Sequence, residues 1–303
     1  MESCGKIRLS KCKYENRKGL VMVKIISDST CDLSRELLET YDIAILPLHI
    51  HLGEAEYLDG VNIAPDELYA WSDANNSTPK TAAASIAEVM DIYRQYLDAA
   101  DEIVIFSVSA AMSSNYQVMK LAAQELECED RIFVIDSANL STGIGLLVIE
   151  AALMARGGKR GSEISTAIEM MKPKVRASFV VDTLTYLHRG GRCSSVAALA
   201  GGVLQLHPKI VVENGRMDAK KKYRGKMNRV ILSYVKDMEE QLKAARPERV
   251  FITHSGCETE DIAAVHEYLE SLQVFEDILE TRAGGVISSH CGPGTLGVLF
   301  VEK

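Results

Sequence analysis

From residue 23 onward, short runs of β-branched and apolar residues alternate with stretches whose apolar positions recur every three to four residues. That alternation predicts βαβ units and a largely parallel sheet. In the first half, residues 23–27, 43–52, 103–109 and 132–136 read as strands. Ile86, Val89, Met90, Tyr93 and Leu97 share one helical face; Ser85 is placed to cap that helix, and Glu88 completes a capping box. A further helix begins after Ser141 and stops at Gly157-Gly158. The second half opens with a strand at 178–183 and the glycine-rich loop His188-Arg-Gly-Gly-Arg192. Residues 209–213 and the Asn214-Gly215 turn predict a hairpin, hence antiparallel pairing. A helix at 226–245, a strand at 249–253, a helix at 260–272 and a strand at 296–301 complete the pattern. The break at 157–175 divides an N-terminal α/β domain, 22–165, with a mostly parallel sheet and flanking helices, from a C-terminal α/β domain, 166–303, with a mixed or antiparallel sheet. No internal repeat or low-complexity tract interrupts either half.

Composition narrows the class. With 303 residues, 47% hydrophobic and 25% charged, the chain matches an average globular protein rather than a disordered, collagen-like or disulfide-stapled one. Its net charge of −8 argues against a general affinity for nucleic acid and leaves room only for a local basic patch. The seven cysteines are odd in number, scattered and never spaced C-x-x-C, which argues against a disulfide framework or a thiolate zinc site and fits a reducing cytoplasm. Residues 145–155 form an apolar stretch interrupted by Glu150 and too short to span a bilayer. Residues 1–21 carry six Lys/Arg against two Glu without the apolar core of a secretory signal, and read as a poorly ordered extension.

Polar residues gather after the strands. Asp28-Ser-Thr-Cys-Asp32, Ser109-Ala-Ala-Met-Ser-Ser-Asn115 and Asp136-Ser-Ala-Asn-Leu-Ser-Thr142 each follow one, and ligands of open parallel sheets collect at the carboxyl ends of strands. Ser113, Ser114 and Asn115 also open a helix, where unpaired N–H groups favour an anion, although capping is the commoner use of such residues. Thr78-Pro-Lys-Thr81 presents Thr81 from a fixed turn, and the glycines of Ser288-Ser-His-Cys-Gly-Pro-Gly294 let backbone approach a ligand near His290.

Asp28-Ser-Thr-Cys-Asp-Leu33, Tyr57-Leu-Asp-Gly60, Pro79-Lys-Thr81, Met112-Ser-Ser-Asn-Tyr-Gln117, Asp182-Thr-Leu-Thr-Tyr-Leu187 with Gly190-Gly-Arg192, and His290-Cys-Gly-Pro-Gly294 together resemble the ordered motifs of the DegV family over residues 23–303. The resemblance implies a two-domain α/β protein, not itself an enzyme and without a cofactor, that encloses a long-chain fatty acid between its domains. It further implies that the carboxylate is presented to a separate fatty acid kinase, which forms an acyl phosphate. Thr81, Ser113 and His290 would then hold the carboxylate, with the N–H groups of Ser114 and Asn115 nearby. Two departures stand out: Thr81-Ala-Ala-Ala-Ser85 replaces Thr-Ser-Gln-Pro-Ser, and Ser114 replaces a glycine, which narrows the backbone freedom there.

Burying about 14 methylenes at roughly 0.8 kcal/mol each would supply on the order of 11 kcal/mol before ordering costs, so a tunnel alone supports tight binding. Residues 144–154 and 196–203 are candidate walls, with core packing as their ordinary role. A serine hydrolase acting on a lipid or small ester is the alternative, since Ser113, Asp136 or Asp182, and His290 follow the chain order of an α/β-hydrolase triad, but the Gly-x-Ser-x-Gly elbow is missing. His49-Ile-His51 is the candidate metal pair, without a supporting carboxylate constellation. No nucleotide-binding glycine motif occurs, so any phosphoryl donor must come with a partner. Residues 216–229 hold seven Lys/Arg and one Asp, a solvated face that could also meet an acidic partner or an anionic membrane surface. Arg189 and Arg192, beside two glycines, are the candidates for a phosphate or partner contact.

Overall fold

The computed structural model describes residues 21–197 and 206–303. The expected extension 1–21, Val21 apart, lies outside these residues, as does the tunnel-wall candidate 196–203 but for the backbone of its first two residues. The strands are β1 (Val23–Asp28), β2 (Ile43–Leu46), β3 (His49–Leu52), β4 (Ala55–Leu58), β5 (Lys80–Ala82), β6 (Glu102–Ser107), β7 (Ile132–Asp136), β8 (Val175–Val180), β9 (Leu206–Glu213), β10 (Arg216–Arg224), β11 (Ala245–His254), β12 (Asp277–Arg282) and β13 (Leu296–Glu302). The helices are α1 (Arg35–Tyr41), α2 (Pro65–Asn75), α3 (Ile86–Leu97), α4 (Asn115–Glu125), α5 (Thr142–Arg156), α6 (Gly161–Met171), α7 (Thr185–Gly190), α8 (Ser194–Ala197), α9 (Met227–Lys236), α10 (Glu239–Lys243), α11 (Thr259–Ser271) and α12 (Gly285–Cys291).

The N-terminal half carries a parallel sheet in the order β2-β1-β6-β7, and the C-terminal half a mixed sheet in the order β10-β9-β8-β13-β11-β12. Both agree with the sequence pattern. Strand β6 is buried along its whole length, as a central parallel strand covered on both faces must be. Between the two sheets lies α5, apolar on every side: Ile144, Leu146, Leu147, Val148 and Ile149 are fully buried against residues of both. Residues 144–149 of the candidate wall therefore pack as core, whereas Leu153 is exposed.

Several elements depart from expectation. The run 43–52 is two strands in two sheets, because Pro47 has no N–H to continue a ladder and the chain turns there into a small antiparallel sheet, β4-β3-β5. The helix expected at 226–245 is interrupted at Met238, whose side chain is buried in the core, and its last residue already belongs to β11. Strand β8 starts and ends three residues earlier than the pattern suggests. The region 157–175 holds α6, which spans the expected division at 165 and packs Ile164 and Ile168 into the core shared by the two sheets. The glycine-bearing stretch around His290 begins as helix α12. Among the described residues no helix is long and apolar enough to cross a membrane.

Candidate functional site

The ends of β1 and β6 are tied together by a buried carboxylate. Asp28 accepts hydrogen bonds from Thr30 N (3.2 Å) and Oγ1 (2.5 Å), from Val108 N (2.8 Å), and from Asn115 Nδ2 (2.9 Å). Burial pushes its carboxyl above the ordinary range while these donors oppose the shift. The polar rim therefore serves partly to satisfy its own buried acid. Ser109 adds a turn: its carbonyl accepts from Met112 N and Ser113 N, and its hydroxyl donates to the Gly215 carbonyl at 2.7 Å. The tip of the β9–β10 hairpin is thereby held against the N-terminal half.

A cavity of about 330 Å³ opens beside this turn, within the usual size of small-molecule sites. Its apolar wall includes Leu48, Val108, Met112, Leu140, Met217 and Ile287, and its polar groups include Thr81, Ser113, Ser114, Arg192 and His290. Thr81 on β5 is placed by the pairing of that strand with β3, opposite Ile50. Thr81 Oγ1 shares a hydrogen bond of 2.9 Å with His290 Nε2. The other ring nitrogen, Nδ1, is buried without a partner and packs against Gly190, where a Cβ would lie only 2.6 Å away. Burial and the neighbouring Arg192 guanidinium push the His290 imidazole down to about 4, so it is neutral near pH 7. A neutral ring has one N–H. Placed on Nε2 it donates to Thr81, which frees the threonine hydroxyl proton to point into the cavity; this tautomer is assigned from the contacts.

The structure thus brings Thr81, Ser113, Ser114, Arg192 and His290 to one cavity. Asn115 is not part of its lining: the side chain is buried on Asp28, and its N–H donates to Ser113 Oγ at 3.2 Å. Arg189 also lies off the cavity, with Nη1 3.5 Å from the Asn76 carbonyl. Ser114 has φ −78°, an ordinary helical value, so serine fits without strain where the family pattern has glycine. Its hydroxyl makes no capping hydrogen bond. Sequence reasoning missed Thr30, Met217, Val286, Ile287 and Cys291 as lining residues. Thr30 and Cys291 lie inside motifs already singled out at the strand ends and beside His290, and Met217 was signalled indirectly by the hairpin turn two residues before it; Val286 and Ile287 carried no signal.

The hydrolase arrangement is not assembled. His290 pairs with Thr81, no carboxylate meets its Nδ1, and Asp136 is engaged by the N–H groups of Ala110 and Ala138. His49 Nε2 lies 3.0 Å from Glu88, and the basic run at 216–229 is largely edge strand β10, with Lys220 paired to Glu213 and Asp218 and Lys221 to Asp237.

The model of the DegV family, described as an uncharacterised protein family, matches residues 22–303. The chain belongs to the DegV family. A DegV domain-containing protein of Deinococcus radiodurans is 34% identical over 278 residues, 91% of this chain and 97% of that one. Among solved structures, a DegV family protein of Thermus thermophilus, reported for its fatty acid binding, superposes with a TM-score of 0.86 at 28% identity, covering 93% of this chain and all of the other. A stearic acid-binding protein of Eubacterium ventriosum gives 0.81 at 30% identity, with 93% and 99% covered. DegV of Bacillus subtilis, described as a fatty acid binding protein, gives 0.81 at 26% identity, with 93% and 100% covered.

Proposed function

We propose that this DegV protein binds one long-chain fatty acid, with the carboxylate at Thr81, Ser113, Ser114 and His290 and the chain against the apolar wall. The carrying observation is the Thr81–His290 hydrogen bond in the lining of a cavity with an apolar wall, which leaves a hydroxyl donor available to a carboxylate. Hydroxyl donors suit this task because they orient the head group while methylene burial supplies the affinity. Arg192, exposed at the cavity edge with Nη1 on the Gly190 carbonyl at 2.7 Å, brings positive charge towards the carboxylate. In this reading the protein is a carrier rather than an enzyme, works in the cytoplasm without a cofactor, touches the membrane surface transiently to load, and offers the carboxylate to a separate kinase for acyl phosphate formation. Arg189 and Arg192 are the proposed partner contacts.

The test is fatty acid dissociation measured by stopped flow for the wild type, Thr81→Val and His290→Gln. A hydrogen bond to a charged group is worth about 1.5–3 kcal/mol, so each variant should release ligand roughly ten- to a hundredfold faster. Wild-type rates in both variants would remove these residues from the head-group site.

A further inference from the structure

Helix α12 belongs in sequence to the C-terminal half, between β12 and β13, yet besides packing on α7 of that half it packs on α2, β3, β5 and the 29–31 turn of the N-terminal half. It supplies Val286, Ile287, His290 and Cys291 to the cavity. Seven residues do not make a helix that is stable by itself, so its position must come from what holds it. At its start the unpaired backbone donors meet two buried carboxyl groups from the N-terminal half. Asp32 Oδ1 accepts from Gly284 N at 2.8 Å, and Asp59 Oδ1 accepts from Gly285 N at 2.7 Å. The second oxygen of each is satisfied as well, Asp32 Oδ2 by Ser141 Oγ at 2.6 Å and Asp59 Oδ2 by Ser29 Oγ at 2.8 Å. The fit leaves no room for a side chain: a Cβ at Gly285 would lie 2.6 Å from Ile50 and 3.0 Å from Asp59. Neither aspartate lines the cavity.

We propose that Asp32 and Asp59 are positioning residues for His290: by holding the N–H groups of Gly284 and Gly285 they fix α12 at the depth where Nε2 of His290 meets Thr81. The consequence for ligand exchange rests on the fatty-acid reading above; the positioning itself does not. Two features favour this role over simple stabilisation. Both carboxyls are buried, and burial raises each above its ordinary range, Asp32 to about 8 with the charges of Asp59 and Asp28 adding to the effect. Acids are costly in such a place, and a neutral apolar seat would hold a short helix more cheaply but without fixing its register. The anchor is also at one end of a rigid two-turn element whose other end is the functional imidazole, so a shift at Gly285 is carried directly to His290.

The experiment follows the imidazole of His290 by NMR in lipid-stripped protein, for the wild type, Asp59→Ala, Asp59→Asn and Asp32→Asn, alongside far-UV circular dichroism and fatty acid dissociation. Buried against Gly190, His290 of the wild type titrates near 4. In Asp59→Ala it should move towards the ordinary 6.5 as the helix withdraws, with ligand released about tenfold faster. Asparagine keeps an oxygen for the N–H of Gly285, so Asp59→Asn and Asp32→Asn should show smaller changes in the same direction. A folded Asp59→Ala with His290 titrating as in the wild type overturns the proposal. Should that variant not fold, wild-type titration in both asparagine variants overturns it equally. A displaced His290 titration with unchanged fatty acid dissociation supports the positioning and overturns the head-group reading on which its functional consequence rests.

Discussion

Gly190 tests the head-group geometry from outside the cavity. It ends α7 with ordinary helical backbone, so alanine there is allowed and should even stabilise the helix by up to about 1 kcal/mol. The added Cβ, however, would lie 2.6 Å from His290 Nδ1, where ordinary contact begins near 3.4 Å. Relief needs a displacement of about 0.8 Å, enough to stretch the 2.9 Å Thr81–His290 hydrogen bond beyond its useful range. Overpacking of this kind costs about 1–3 kcal/mol, and losing the orientation of a hydroxyl that donates to a carboxylate costs about 1.5–3 kcal/mol in binding. Gly190→Ala should therefore bind fatty acid roughly ten- to a hundredfold more weakly while urea denaturation shows a modest change in stability. Gly191→Ala is the matched control. That residue has φ +66° with nothing within 4 Å, so alanine there should cost about 1 kcal/mol of stability and leave affinity unchanged. Isothermal titration of both variants decides the matter: wild-type affinity in Gly190→Ala, or equal losses in the two, would refute the reasoning.

Two other perturbations have clear signs. His290 is depressed from 6.5 to about 4 in the folded protein, so as pH falls through that window the unfolded chain takes up a proton the folded one excludes, and stability drops by up to about 3 kcal/mol. Urea unfolding of wild type against His290→Gln should show the wild type losing this margin between pH 7 and pH 4; a constant difference would contradict the burial argument. Arg189 lies off the cavity and Arg192 lines it, so Arg189→Glu should impair kinase-dependent phosphorylation alone, while Arg192→Glu should impair phosphorylation and fatty acid affinity together. Equal effects on affinity would dissolve that distinction.

Much of the architecture is legible because it follows from local rules. The parallel sheet shows in its apolar runs, and the Ser85–Glu88 capping box forms as its spacing demands, with Glu88 N donating to Ser85 Oγ and Ser85 N to Glu88. What was illegible depends on contacts distant in sequence. Strand β12, Asp-Ile-Leu-Glu-Thr-Arg, is an edge strand with little apolar signal, and α12, Gly-Val-Ile-Ser-Ser-His-Cys, has no helical pattern and is held at its start by Asp32 and Asp59. The rim residues show the same division. Ser113 and Asn115 are indistinguishable as polar residues opening a helix, yet one lines the cavity and the other turns inward to a buried carboxylate. Which way a polar side chain points is decided by its partner, here Asp28, 87 residues away.

The central claim is that the cavity holds a fatty acid, and mass spectrometry of protein purified from cells tests it most directly. Native spectra should show one lipid per chain, and the organic extract should identify it as a long-chain fatty acid. Protein that arrives empty and takes up neither palmitate nor oleate on addition would contradict the account.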